Sequence, residues 1–373
     1  MNLADMLCYA DIRQLSSIAN AYDCQCDGHS KNELIQSILS RLNRRDVFER
    51  HVSDLRLEEI RFLNSLLFEA RDQFSMEELV ARAHQCRFAK EPGTDDAWNP
   101  RDMIVRFKHK GWLFNGHSPQ TKYLLQFPQD LKKRFAEVLA DRFQNELEHV
   151  EEPAAYRDEQ TFIVDDISHF LHHLYHNEMF LTADGSIYKR HLQLLLDRMA
   201  IKEELPKGGW RFGYGRKFKE LPNRFSLIYD YCYDQRLIEE TDGRLVLTEK
   251  GQSAVLEGRK EHPDQIYRYW LKLYKGPVPN IQTIVLWIEM LARDWVTVDS
   301  LGRALCKLIR PYYYDTPESI FEQRILQMMM HLGLVRIGED ERHGRSVRMT
   351  KLGRDVITGT YASEHAKMEL TRG

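Results

Sequence analysis

The residues best suited to chemistry lie in one stretch, Lys207–Lys219, which reads KGGWRFGYGRKFK. Lys207, Arg211, Arg216, Lys217 and Lys219 stand there without an acidic residue among them, and Trp210, Phe212, Tyr214 and Phe218 alternate with glycines. Clustered cations neutralise phosphates, and aromatic faces stack on unpaired bases. Glycine lets a backbone approach a ligand closely. Nucleic-acid contact is therefore expected through Lys207, Trp210, Arg211, Tyr214, Arg216, Lys217 and Lys219. The competing reading makes Trp210, Phe212 and Phe218 core residues and the cations a solvated rim.

Two further basic patches point the same way. Arg101, Arg106, Lys108 and Lys110 share a segment with one acid, Asp102, which suits a recognition helix that enters a major groove. The same surface also suits a protein contact. Arg342, Arg345 and Arg348, with His343, surround a turn near Gly344, the right chemistry for phosphate or minor-groove contact. Glu339, Asp340 and Glu341 beside them argue for a neutral surface.

Metal chemistry has weaker footing. In ISHFLHHLYH, His169/His173 and His172/His176 are four residues apart, a spacing that can present two ligands on one helix face. No Glu lies between the paired histidines and no clear third ligand follows, so a helix burying Ile167, Phe170, Leu171 and Leu174 is favoured. Cys24 and Cys26, with His29 and distant Cys8, make an equally thin zinc set. Tyr312–Tyr314 after Arg310-Pro311 could stack on bases or simply pack a loop. No phosphate-binding P-loop, nucleophile elbow or dinucleotide-binding glycine motif occurs, so no catalytic residue, metal or cofactor is expected.

The elements that must position these residues are marked by hairpins. In QRLIEETDGRLVLTEKGQSAV, Gln235–Val255, Asp242-Gly243 separates two short apolar runs, the signature of a type I′ turn. Thr248 is placed to cap a helix from Glu249. Helix, hairpin, helix is the outline of a winged helix. The pattern returns at Leu334–Ile357, where Met349-Thr350-x-x-Gly353 matches Leu247-Thr248-x-x-Gly251, and more loosely at Gly111–Phe127. Ser30-x-x-Glu33 and Ser75-x-x-Glu78 are capping boxes, and Asn99-Pro100 is a helix start. Helices are expected over Leu57–Glu69, Arg101–Lys110, Asp130–His149, Ile163–Tyr175, Pro222–Arg236, Ile281–Ala292, Val298–Ile309 and Pro317–Leu332.

Two resemblances extend this reading. Leu15, Ile18, Ala19, Ser30, Lys31, Glu33, Leu34, Ile35, Ile38 and Leu39 follow an order that resembles the SAP-like unit at the N-terminus of transcription terminator Rho; Cys24-Gln-Cys26 departs from it. Leu181, Thr182, Asp184, Gly185, Lys189, Arg190, Leu237, Gly243, Leu247, Thr248 and Gly251 resemble the winged-helix accessory region of bacterial XPB-type DNA helicases. The helicase motor itself is missing. These resemblances imply nucleic-acid binding, or docking onto enzymes that act on nucleic acid.

The expected fold is mainly α with short β-hairpins: a SAP-like helical unit at 1–50, then tandem winged-helix domains at 54–152, 160–258 and 264–360, with 361–373 as a flexible tail. The acidic run ELEHVEEP at 146–153 is read as a boundary. The 373 residues are 43% hydrophobic and 29% charged with net charge −3, so any polyanion-binding surface must be local. With scattered cysteines, no leader read at the start and no long apolar run, the expected location is the cytoplasm, nucleoid-associated if bacterial, and no membrane partner is expected. The expected function is non-enzymatic binding of duplex or forked DNA, mainly through phosphates. The rival is an adaptor docking onto a helicase, polymerase or nuclease without touching DNA. No small-molecule substrate is expected.

Overall fold

The computed structural model describes residues 1–69, 71–88, 98–207 and 211–361. The chain is mainly helical, with 54% of the described residues in helices against 10% in strands, and its sheets are small and antiparallel. It divides into two compact units, Met1–Asn145 and Glu146–Gly373. Among the described residues no helix is long and apolar enough to cross a membrane. The expected tail lies, apart from Tyr361, outside the described residues.

In the first unit α1 (Leu3–Tyr9), α2 (Ile12–Ala21), α3 (Lys31–Asn43) and α4 (Arg45–Ser53) precede α5 (Leu57–Leu67), β1 (Gln73–Phe74) and α6 (Met76–Cys86). Then come α7 (Pro100–His109), β2 (Phe114–Asn115), β3 (Leu125–Gln126) and α8 (Gln129–Gln144). The serine and asparagine caps form, but neither capping box closes: Glu33 accepts the Asp27 amide instead, and Glu78 pairs with Arg82. Ser75 Oγ accepts the Glu78 amide at 3.1 Å, and Asn99 Oδ1 accepts the Arg101 amide at 3.0 Å with Pro100 in the first turn. The N-terminal helices share a core with α7 rather than standing apart. Tyr22 donates its hydroxyl to the Lys110 carbonyl at 2.9 Å and accepts from Trp112 Nε1 at 3.0 Å. Gly111, at φ +66°, lets Ile18 sit where a side chain would press against it. Trp112 meets Phe107 and Phe135 edge-on beneath them. Strands β1, β3 and β2 form a three-stranded sheet in that order. Helix α8 stops at Gln144, short of His149, because the next residues are drawn into a sheet of the second unit.

The second unit opens with β4 (Tyr156–Arg157), α9 (Phe162–His176), β5 (Met179–Phe180), α10 (Lys189–Leu196) and α11 (Asn223–Asp234). The hairpin β6 (Ile238–Thr241) and β7 (Arg244–Leu247) follows, then α12 (Glu249–Leu256). Asp242 and Gly243 have φ of 47° and 69°, as a type I′ turn requires, and β5 joins the hairpin in the order β5-β7-β6. Next come α13 (Pro263–Tyr274), α14 (Ile281–Leu291), β8 (Val296–Thr297) and α15 (Val298–Leu305). The helix expected from Val298 to Ile309 tightens to a 3₁₀ turn at Cys306–Leu308. The one expected over Pro317–Leu332 is α16 (Pro317–Ser319), a π-helix at Ile320–Leu326 and α17 (Gln327–His331). A second hairpin, β9 (Val335–Asp340) and β10 (Gly344–Met349), leads to α18 (Lys351–Thr358).

The repeated Thr-x-x-Gly has a packing cause. Thr248 Oγ1 accepts the Gly251 amide at 3.2 Å and Thr350 Oγ1 accepts the Gly353 amide at 2.8 Å. A Cβ on Gly251 would lie 2.0 Å from the Leu237 carbonyl oxygen, and one on Gly353 would lie 2.1 Å from that of Leu334. Each helix start therefore rests on the backbone that opens its own hairpin, and only glycine fits the gap.

The last sheet was not foreseen in full. Its order is β4-β9-β10-β8, with Tyr156 opposite Gly338 and Arg157 opposite Ile337. The chain from Glu146 reaches it through a Thr297 amide bonded to the Glu148 carbonyl at 3.0 Å and a Val150 amide bonded to the Trp295 carbonyl at 3.0 Å. The acidic run read as a boundary begins where the two compact units divide, and its residues belong to the second of them.

Candidate nucleic-acid interface

The loop between α10 and α11 spends most of its cations on the protein itself. Arg211 donates to the Leu221 carbonyl at 3.0 Å and to Asn223 Oδ1 at 2.9 Å. Burial, and then the charge of Arg324, weaken its hold on its proton. Lys217 Nζ donates to the Gly185 carbonyl at 2.6 Å and stands 3.6 Å from Glu240. Arg216 lies over the Tyr233 ring at 3.5 Å, with Glu240 at 3.8 Å. Tyr214 is buried edge-on against Tyr274 at 4.9 Å; burial, and then the Asp315 carboxylate, raise its hydroxyl pKa. The Phe212 carbonyl accepts from Arg324 at 2.7 Å, and Arg324 grips Asp315 at 2.9 Å, which fixes the Tyr312–Tyr314 turn beside the loop. Lys207 and Lys219 remain exposed, with no ion pair among the described residues. Trp210 lies outside the described residues.

Beneath the loop, Asp230 is buried and accepts the Arg216 amide at 3.0 Å. Burial raises its pKa to about 6. Gly215, at φ +103°, passes so close that a Cβ would lie 2.1 Å from Asp230 Oδ2.

The second hairpin of this unit meets carboxylates throughout. Arg345 pairs with Glu322, and Arg348 stands 3.5 Å from Glu152. His343 lies 3.4 Å from Glu148, Arg336 pairs with Asp158 at 2.7 Å, and Lys307 pairs with Glu146 at 2.8 Å. Arg342 is exposed at the tip. Glu146, Glu148, Glu152 and Asp158 all come from the segment that leads into and past β4.

On α7 the cations part company. Arg106 pairs with Glu59 at 3.1 Å, and Lys110 lies over Trp112 at 4.7 Å, its amine pKa lowered by burial. Arg101 is exposed at the start of the helix, on the same side as Val105 and His109. Lys108 faces a groove whose opposite wall carries Arg13. Arg13, His109 and His117, which share that groove, were not singled out by sequence. Arg13 sits alone on α2, and only the packing of α2 onto α7 brings it to Lys108.

The most heavily buried charges form a cluster that sequence reasoning missed. Arg224 is 1% exposed and pairs with Asp166 at 2.6 Å and Glu159 at 3.2 Å, both fully buried. Glu159 also meets His331 Nδ1 at 3.1 Å and Arg157 at 2.6 Å. Burial opposes ionisation of Glu159, but the His331 bond and the nearby cations hold its pKa below the usual value. Asp166 accepts the Ala200 amide at 2.5 Å, and Glu203 accepts the Arg224 and Phe225 amides that open α11. This cluster ties α9, α11 and α17 together.

Of the histidine row, His169 Nδ1 lies 3.4 Å from Asp166, His172 and His176 are exposed, and burial lowers the pKa of His173. Cys24 and Cys26 are unpaired and half-buried. Among the described residues no group of three or more His, Cys, Asp or Glu is arranged to hold a metal ion. Set beside known proteins, the chain matches no family model and no curated protein.

Proposed function

We propose that the chain is a non-enzymatic DNA-binding protein built of winged-helix modules behind a SAP-like element, and that it contacts duplex or forked DNA mainly through phosphates. One observation carries this reading: Arg101 and Lys108 on α7 have no ion-pair partner among the described residues, while most basic side chains elsewhere in the predicted sites are paired or packed. Uncommitted cations on one helix face attract a polyanion without first breaking internal pairs. Lys207 and Lys219 add a second exposed pair in the other unit, and modest sites on one chain reinforce each other through effective concentration.

The test is a salt-titrated anisotropy comparison of duplex, forked and single-stranded DNA with RNA. Replacing Arg101 and Lys108 by Glu weakens duplex binding more than about tenfold and lowers the salt slope by about two phosphates' worth. Unchanged duplex affinity in a folded variant overturns the assignment. The neutralised second hairpin favours the rival, an adaptor for a helicase, polymerase or nuclease. Copurification with such an enzyme, together with no affinity for any nucleic acid, decides for it.

A further inference from the structure

The groove in the first unit has a volume of 460 Å³. That lies within the range of clefts that hold small ligands, about 300–1,000 Å³. One wall is the end of α1 and the start of α2, and the other is the end of α7 with the residues after β2. Three features of the lining bear on what it holds. Arg13 and Lys108 form no ion pair among the described residues; Asp11, the acid beside them, already accepts the Gln14 amide at 2.7 Å as the cap of α2. Tyr9 stacks on His117 with ring centres 4.5 Å apart and planes 22° from parallel, yet Tyr9 stays 64% exposed. Gln14 stands in the groove wall with its Nε2 turned away from solvent and without a hydrogen-bond partner among the described residues.

We propose that this groove binds an unpaired nucleotide within a single-stranded stretch of nucleic acid. Its phosphate lies between Arg13 and Lys108, and its base extends the Tyr9–His117 stack. The inference rests on the nucleic-acid reading above and deepens it. Cations alone would accept any anion; the exposed, pre-stacked aromatic pair selects one that carries a flat ring. A base within a duplex has both faces occupied and cannot extend such a stack, whereas an unpaired base can. Stacking tolerates every base, so little sequence preference is expected. The 2′-hydroxyl is not required by any of these contacts, so single-stranded DNA and RNA share the chemistry.

The full chain is titrated with a 12-nucleotide single strand containing 2-aminopurine, as DNA and as RNA, and with the blunt duplex of the same sequence. Tyr9→Ala is expected to weaken single-strand binding about tenfold and to abolish the quenching that reports stacking. Tyr9→Phe restores both, and Arg13→Glu weakens single-strand binding while leaving the stack itself in place. Duplex affinity is unchanged by Tyr9→Ala. Equal single-strand affinity and equal quenching in wild type and Tyr9→Ala, with duplex binding intact, overturn the groove assignment and leave the DNA-binding reading standing. No binding of any of the three probes overturns both.

Discussion

Helix α7 and the hairpin β9–β10 carry similar basic residues and meet opposite fates. On the hairpin and its neighbours, Arg336, Lys307, Arg345, Arg348 and His343 each face a carboxylate. On α7, Arg101 and Lys108 form no ion pair among the described residues. The difference lies in remote sequence: Asp158 reaches Arg336 across 178 positions and Glu146 reaches Lys307 across 161. A basic window keeps its charges free of ion pairs only where no distant acidic segment is laid across it.

Three experiments press on this contrast, beginning with its most enclosed case. Arg224→Leu strands Glu159 and Asp166 in the interior without their main cation. Urea unfolding of the second unit should show a loss of about 3–5 kcal/mol, the cost of breaking a buried pair from one side. A loss under about 1 kcal/mol would mean that the cluster does not clamp α9, α11 and α17. Next is Asp230, a covered carboxylate that the Arg216 amide and the nearby Arg216 and Lys217 charges only partly compensate. Its pKa rises from 3.8 to about 6 on folding, so the folded chain holds this proton more tightly than the unfolded one. That contribution is full below pH 3.8 and is lost as pH climbs through about 6. Asp230→Asn should therefore gain stability over wild type across that window, levelling near 3 kcal/mol above it, about 1.36 kcal/mol per pKa unit. A difference that does not change with pH would reject burial as the cause.

The smallest effect tests the contrast directly. Glu146→Gln, Glu148→Gln, Glu152→Gln and Asp158→Asn together should raise duplex affinity about threefold and steepen its salt dependence, since unmasked cations then meet phosphates. If affinity does not move, the hairpin's position rather than its charge keeps it from DNA.

Local features of this fold were legible in the sequence. Caps at Ser75, Asn99, Thr248 and Thr350 and the Asp242-Gly243 turn act within a few residues, and all form. Helix α13 escaped because its start, His262-Pro263, falls in a stretch that reads as a polar link. Strands β1, β4, β5 and β8 are two residues long, too short for any alternation to appear. The Arg224 cluster draws on Glu159, Asp166 and His331, each unremarkable in its own window. The basic loop was visible as composition, but its use was not: Arg211 and Lys217 each bond to a backbone carbonyl, a group that every residue possesses.

The pairing of β4 with β9 also sets an order of assembly. Asp158 precedes Arg336 by 178 residues. At a synthesis rate of about 5–20 residues per second, β4 and the acids around it wait roughly 10–35 s for their partners to be made. Throughout that interval the first unit is complete while the last sheet is not. Glu146, Glu148, Glu151, Glu152 and Asp158 flank β4, and like charges beside an unpaired strand disfavour its pairing with the same strand of a neighbouring copy.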